Sequence, residues 1–238
     1  MVTTSLRAAR IHALEEIPGL VHGFEQRLGP MGWEDSAGTR RRVAAALQPS
    51  GRLLLLKQVH GAEVRRAPWE GRPPADAALA DVPGLILGVE TADCLPLLLV
   101  DPKRRAVAAA HAGWRGTAAG VASAAVQALV AEGSRPADLV AALGPCIGPC
   151  CYEVGDELRA AFGPGGAEFF RPGARGRPHL DVRGANVRQL AAAGLRPEAI
   201  HHLADCTSCR ADLYHSYRRE GRGAGRMINY VGLTAARS

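Results

Sequence analysis

Apolar residues in this chain gather into short runs of strand length, separated by glycine, proline and charged residues. Leu53 to Val59, Gly84 to Val89, Leu95 to Val100, Ala106 to Ala110 and Leu139 to Leu143 are such runs, and each predicts a strand. Val21 to Gly29 reads as a strand with a loop, and Arg226 to Val231 as a strand after a turn rich in glycine. Helical patterning is rarer. Ala37 to Leu47 predicts one helix and the alanine-rich stretch from Ala118 to Glu132, ending before Gly133, a second. A shorter helical segment is expected near Val154 to Phe162. The proline- and alanine-rich segment Gly71 to Asp81 reads as a surface loop, and Gly163 to Arg177 as another. With no repeat, heptad run or long linker, residues 1–238 are expected to form a single domain.

Leu95 to Val100 and Ala106 to Ala110 flank Asp101-Pro102-Lys103-Arg104, and Asp followed by Pro is a turn signal. A hairpin centred between Pro102 and Lys103 sets Cys94 directly opposite His111, roughly 4.5–5.5 Å apart at Cβ. Pro96 restricts that strand to an edge or a late start.

Composition narrows the class. The chain has 238 residues, 47% of them hydrophobic, enough for a sizeable core. No apolar run approaches the ~20 residues that span a bilayer, and no signal peptide is evident. A soluble cytoplasmic protein with reduced cysteines is the expectation. The net charge of +6 comes almost wholly from arginine, because Lys57 and Lys103 are the only lysines. The arginines form scattered pairs without a helix-turn-helix, finger or aromatic RNA-binding motif, so nucleic acid is not expected as a partner.

Three phrases carry chemistry: Lys57-Gln58-Val59-His60-Gly61, Thr91-Ala92-Asp93-Cys94-Leu95-Pro96 and Ala110-His111-Ala112-Gly113-Trp114-Arg115-Gly116. Two imidazoles and a thiolate, from His60, Cys94 and His111, suit Zn²⁺ and leave a fourth position open, as catalytic zinc sites do. The helix expected after Gly116 starts beside these ligands. Its N-terminus, the close backbone approach allowed by Gly113 and Gly116, and the Arg115 guanidinium together favour a phosphate. The remaining cysteines are less specific. Cys206-x-x-Cys209 with Cys146 and Cys150 offers a four-cysteine zinc set, but the spacing of the second pair and the adjoining Cys151 favour buried free thiols. His12, His22, His179 and His201-His202 carry no specific signal.

These phrases resemble the laccase-domain or YfiH-type family, also called multicopper polyphenol oxidase-like proteins. The resemblance extends through His22-Gly23-Phe24, Gly144-Pro145-Cys146-Ile147, Tyr152-Glu153-Val154, Asp205-Cys206-Thr207 and Ser216-Tyr217-Arg218-Arg219. It implies an α+β fold layered α/β/β/α with mixed sheets, similar to the catalytic domain of cytotoxic necrotizing factor. It also implies zinc or copper held by His60, Cys94 and His111. Family members are regarded as purine nucleoside phosphorylases acting on adenosine, inosine and methylthioadenosine, with adenosine deamination as a second activity. On that reading the substrates are purine nucleosides and phosphate, Arg115 and Arg218 neutralise the anion, and Asp93 and Cys146 are the candidates for proton transfer. The chain departs from the family after Phe24, where Glu25-Gln26-Arg27-Leu28-Gly29-Pro30 belongs to a shortened segment.

Multicopper oxidation fits poorly, because the chain has no His-x-His repeat and its internal methionines, Met31 and Met227, lie far from the ligand phrases. Adventitious Cu²⁺ at the same three ligands remains compatible. Two alternatives stay open: a Cys94–His111 dyad hydrolysing an amide, as in a peptidoglycan precursor editing factor, and a basic zinc-stabilised binding module. A monomer or a homodimer is expected.

Overall fold

The run Leu95 to Val100 is apolar at every position because the strand it forms is covered on both faces. In the computed structural model, which describes residues 6–27, 36–173 and 176–234, this strand is central to a six-stranded sheet. Along the chain the strands are β1 (Ala8–Ala9), β2 (Leu20–Glu25), β3 (Arg52–Leu55), β4 (Val64–Arg66), β5 (Ala77–Ala80), β6 (Leu85–Thr91) and β7 (Leu95–Asp101). They continue as β8 (Ala106–Ala112), β9 (Val140–Leu143), β10 (Phe170–Pro172), β11 (Pro178–Leu180), β12 (Ile200–His202) and β13 (Met227–Leu233). The helices are α1 (His12–Glu15), α2 (Ser36–Leu47), α3 (Trp114–Ala118), α4 (Val121–Ala131), α5 (Leu158–Ala161), α6 (Val182–Ala192) and α7 (Tyr217–Glu220). Among the described residues no helix is long and apolar enough to cross a membrane.

One sheet has the order β1-β2-β13-β6-β3, the other β12-β9-β7-β8-β5-β4, and β10-β11 forms a small ribbon. Both large sheets are mixed: β3 runs parallel to β6 while β13 opposes it, and β12 runs parallel to β9. Side-chain alternation explains the layers. Leu95, Leu97 and Leu99 point to one side, where they join Val121, Val126 and Leu129 of α4 and Leu190 of α6. Leu98 and Val100 point to the other and meet Leu87, Val89 and Val231 of the five-stranded sheet. That sheet's outer face, through Ile86, Ile228 and Tyr230, is covered by Val43 and Leu47 of α2. The result is the α/β/β/α stacking expected.

Several elements differ from the sequence expectation. Gly71 to Asp81 is not a surface loop throughout: Ala77–Ala80 is β5, fully buried, pairing antiparallel with β8 on one side and parallel with β4 on the other. Alanine has little strand propensity, but small side chains let α4 pack across β5 and β8. The helix expected over Ala118 to Glu132, after Gly116, begins earlier, at Trp114 with Gly113 as its N-cap and Gly116 inside it, and is broken into α3 and α4 where Gly120 takes φ of 82°. The strand from Leu53 ends at Leu55, and Lys57 makes only an isolated bridge to Pro74. Val154 to Phe162 holds only the single turn α5. Gly163 to Arg177 contains a 3-10 turn at Pro164–Phe169 and β10, with residues 174–175 outside the described set. The end of the loop expected up to Gly29, the Leu28-Gly29-Pro30 part of the shortened segment, and Met31 also lie outside the described residues.

The β7–β8 hairpin is also shifted. Its register pairs Pro96 with His111 and Leu95 with Ala112, so the turn is centred one position later than expected. Asp101 causes this: its Oδ1 accepts from the backbone N–H of Lys103 and Arg104, each at 3.0 Å, and Arg105 closes the longer turn at φ 54°. Cys94 and His111 are therefore diagonal neighbours, yet they stay on one face because the centre shift moves each partner by two positions. Pro96 does not force an edge. Its carbonyl accepts from Gly144 N–H at 2.9 Å, just beyond the last β7–β9 ladder pair, Leu97 with Leu143.

Candidate metal centre and active-site cavity

The three predicted ligands come together. One ligand atom from each of His60, Cys94 and His111 lies within 4.8 Å of the others. His111 is delivered near the end of β8 and is buried. Cys94 sits in the bend between β6 and β7, directly after Asp93 at φ 92°. His60 lies in the loop after β3 at φ 63°, exposed at the cavity floor, with its ring edge-on to His111 at 4.9 Å between centroids.

Asp76, immediately before β5 and fully buried, organises the triad. Its Oδ1 is 2.8 Å from His111 Nδ1, and its Oδ2 accepts from the backbone N–H of Val59 at 3.0 Å and Gly61 at 2.7 Å. One carboxylate therefore fixes the loop that carries His60 and holds the Nδ1 proton of His111, leaving His111 Nε2 as the lone pair for an ion. Gln58 pins the same loop from the other side: its amide exchanges hydrogen bonds with the backbone of Glu90, at 2.8 and 2.7 Å. Sequence reading missed Asp76, because it lies in the run taken for a loop. No local motif marks it.

Charges in the triad reinforce one another. Burial pushes the Cys94 thiol up, but the adjacent His111 and His60 imidazoles outweigh it and leave the thiol well below its ordinary range. Burial lowers His111, while Cys94 and Asp76 more than compensate and raise it. Burial likewise raises Asp76, against the stronger combined pull of His111 and the Gly61 and Val59 N–H groups. Such a set prefers a cation among its members. Two imidazoles, one thiolate and a carboxylate bonded behind one imidazole form a donor set that fits Zn²⁺.

The triad opens into a cavity of about 720 Å³ whose walls include Trp114, Arg115, Tyr152, Val182, Arg218 and Arg226. Gly113 lets the backbone pass close to the ligands, since a Cβ there would sit 3.0 Å from Cys94 Sγ and 3.2 Å from His60 Cδ2. A Cβ at Gly116 would meet the Gly61 carbonyl at 2.9 Å. The Arg115 guanidinium stacks on Trp114 at 4.3 Å and that of Arg218 on Tyr152 at 5.2 Å. Burial raises the Tyr152 phenol to about 12, so it stays protonated. Arg40 and Arg72, also on the wall, are paired with Glu90.

Two predicted residues have other settings. Both Asp93 oxygens are engaged, Oδ1 by the Thr207 hydroxyl at 2.6 Å and Oδ2 by the Arg218 backbone N–H at 2.7 Å, so Asp93 ties its own bend to the Thr207 turn and to α7 at the cavity edge. Cys146 is fully buried, is not among the residues lining the cavity, and burial raises its thiol to about 12. The structure does not bring it to the site.

The remaining cysteines match the expected buried free thiols only in part: Cys146 and Cys206 are buried, and Cys151 is half-buried. Cys150, Cys151, Cys206 and Cys209 cluster with ligand atoms within 4.8 Å of one another, and Cys150 and Cys209 are exposed. Against the four-cysteine set weighed from the sequence, which the spacing disfavoured, the cluster has Cys151 in place of Cys146.

Fold and site together define a class: an α/β/β/α protein with a His–Cys–His candidate metal centre at the floor of an arginine-rich cavity. The chain belongs to the family described as multi-copper polyphenol oxidoreductase laccase, whose model matches residues 34–234. It is 37% identical over 215 residues to a Geobacillus stearothermophilus protein named purine nucleoside phosphorylase YlmD, covering 83% of this chain and 78% of that one. It is 39% identical over 162 residues to adenosine deaminase RL5 from an unknown prokaryotic organism, covering 66% of this chain and 61% of that one. The crystal structure of Bacillus licheniformis hypothetical protein YfiH superposes with a TM-score of 0.84 at 28% identity, covering 92% of this chain and 95% of that one. Relatives that carry enzyme names, and an open ligand set in a cavity, support an enzyme.

Proposed function

We propose that this protein is a metal-dependent purine nucleoside phosphorylase that cleaves adenosine, inosine or methylthioadenosine with phosphate to give the free base and a sugar 1-phosphate. The observation that carries the reading is the convergence of His60, Cys94 and His111 within 4.8 Å on a cavity that also presents Arg115 and Arg218. The volume of about 720 Å³ lies in the range of small-molecule sites, and relatives at this similarity are named for the reaction.

Zn²⁺ held by the triad would supply Lewis acidity and a fixed positive charge at the cavity floor. The chain's own residues do the rest. Arg115 and Arg218 bear the phosphate charge, and stacking on Trp114 and Tyr152 limits their motion. Those two rings also supply apolar surface for a purine and its ribose. Asp93 positions Arg218 through the backbone of α7. Adenosine deamination is proposed as a second activity of the same cavity, in line with the relative named adenosine deaminase.

The test is chromatography of metal-quantified protein incubated with each nucleoside, with and without phosphate. Phosphate-dependent release of free base, lost in Cys94→Ala and in His60→Ala, is the expected result. No turnover of any nucleoside by zinc-loaded protein would overturn the reading.

The Cys94–His111–Asp76 line favours one second reading. A thiolate beside an imidazolium oriented by a buried carboxylate is the arrangement of a cysteine amidohydrolase, and an editing factor acting on a peptidoglycan precursor is the corresponding function. His60 separates the two. Amide hydrolysis that survives His60→Ala but not Cys94→Ala would select the dyad.

A further inference from the structure

Four thiols lie apart from the cavity, shared with none of its lining residues. Two come from the turn after β9: Cys151 and Tyr152 both donate backbone N–H to the Gly148 carbonyl at 3.0 Å, which brings Cys150 and Cys151 around on one tight turn. The other two come from Cys206-Thr207-Ser208-Cys209, a second turn closed by Arg210 N–H on the Cys206 carbonyl at 3.0 Å. A parallel bridge between Cys146 and Cys206 sets the two turns side by side, with Thr207 N–H on the Cys146 carbonyl at 3.1 Å.

The sulfurs of Cys150 and Cys209 are 3.7 Å apart and those of Cys151 and Cys209 are 3.4 Å apart. Sulfurs on a zinc ion at ~2.3 Å in tetrahedral geometry are separated by about 3.8 Å. Cys206 Sγ also accepts the backbone N–H of Gly148 at 3.2 Å, a contact that stabilises a thiolate ligand. The donors are all soft, which selects Zn²⁺ over magnesium or calcium. Counter-charge is at hand: Arg219 donates to the Thr207 and Ser208 carbonyls at 2.8 and 2.9 Å, and Arg218 to the Cys151 carbonyl at 3.2 Å.

We infer that Cys150, Cys151, Cys206 and Cys209 form a second, structural tetrathiolate zinc site. Binding displaces the thiol protons to solvent and joins four sulfurs to one ion with no change in oxidation state. The site ties together two turns that frame the active-site wall: Tyr152 follows Cys151 directly, and Thr207, inside the second turn, holds Asp93. Four protein sulfurs fill a tetrahedral shell, as in a closed structural centre. A single disulfide would use only two of them.

Full-length protein purified anaerobically with reductant and zinc is expected to hold two zinc ions per chain, one for each cluster. Cys94→Ala should retain one, and its Co²⁺-substituted form should show the intense visible absorption of a tetrathiolate centre. Cys206→Ser combined with Cys209→Ser should lose that absorption while the triad keeps its ion. A Cys94→Ala protein that binds no zinc, binds Co²⁺ without the tetrathiolate spectrum, or shows a disulfide among the four cysteines by mass spectrometry would overturn the inference. Because Cys94→Ala removes the triad, the measurement stands even where the double variant fails to fold. It is also independent of whether nucleosides are turned over.

Discussion

Asp76 sets both the tautomer of His111 and the path of the His60 loop through three hydrogen bonds. An Asp76→Asn variant keeps the shape but cannot serve all three donors, and turning its amide N–H₂ to His111 drives the ring proton to Nε2, where the metal lone pair is needed. Zinc affinity is expected to fall by about 10- to 100-fold, measured by competition with a chromophoric chelator, with the helix and strand content of the chain unchanged. An affinity equal to wild type would show that the His60 loop holds its position without this carboxylate. His60, Cys94 and His111 were legible as sequence because each sits in a phrase specific enough to stand out. Asp76 was not, since its role depends on β5 lying beside β8, a contact between residues 35 positions apart.

At the level of elements, the break between α3 and α4 reverses the sign that helix propensity gives. In one continuous helix, Gly120→Ala would stabilise by about 1 kcal/mol. At φ 82°, with no neighbouring atom within 4 Å of the added Cβ, it should instead destabilise by about 1 kcal/mol, purely through the left-handed backbone. The urea midpoint of the purified variant gives the sign. The break matters for the site, because it lets α3 lie beside the triad while α4 turns onto the sheet. Helix α6 braces α3 at Thr117: Gln189 donates to its backbone carbonyl at 2.7 Å and Asn186 to its hydroxyl at 2.9 Å.

Across the whole molecule, stability should depend on pH through His22, which is buried in β2 and accepts the Ile11 N–H at 3.1 Å. Burial, and then the charge of Arg10, lower its pKa from 6.5 to about 4, with Glu15 opposing. The folded chain keeps this imidazole neutral where the unfolded chain protonates it, so the unfolded state binds more protons between those values. Stability from His22 is complete above pH 6.5, falls as pH drops, and is gone near pH 4. The loss amounts to at most about 3 kcal/mol. Urea midpoints from pH 7 to pH 4 should fall less steeply in His22→Gln than in wild type; equal slopes would remove His22 as the cause.

The runs of apolar residues were enough to find most strands and the α2 helix, because burying a contiguous apolar segment is a local property of sequence. The ligand phrases were likewise local, and so was the resemblance that implied two stacked sheets between helices. Register, the buried β5, the Gly120 break and the grouping of Cys151 with Cys150, Cys206 and Cys209 were decided only in the folded chain. Each depends on which distant segments share an interface, and an alanine-rich strand or a cysteine on a turn carries no signal until its neighbour is in place.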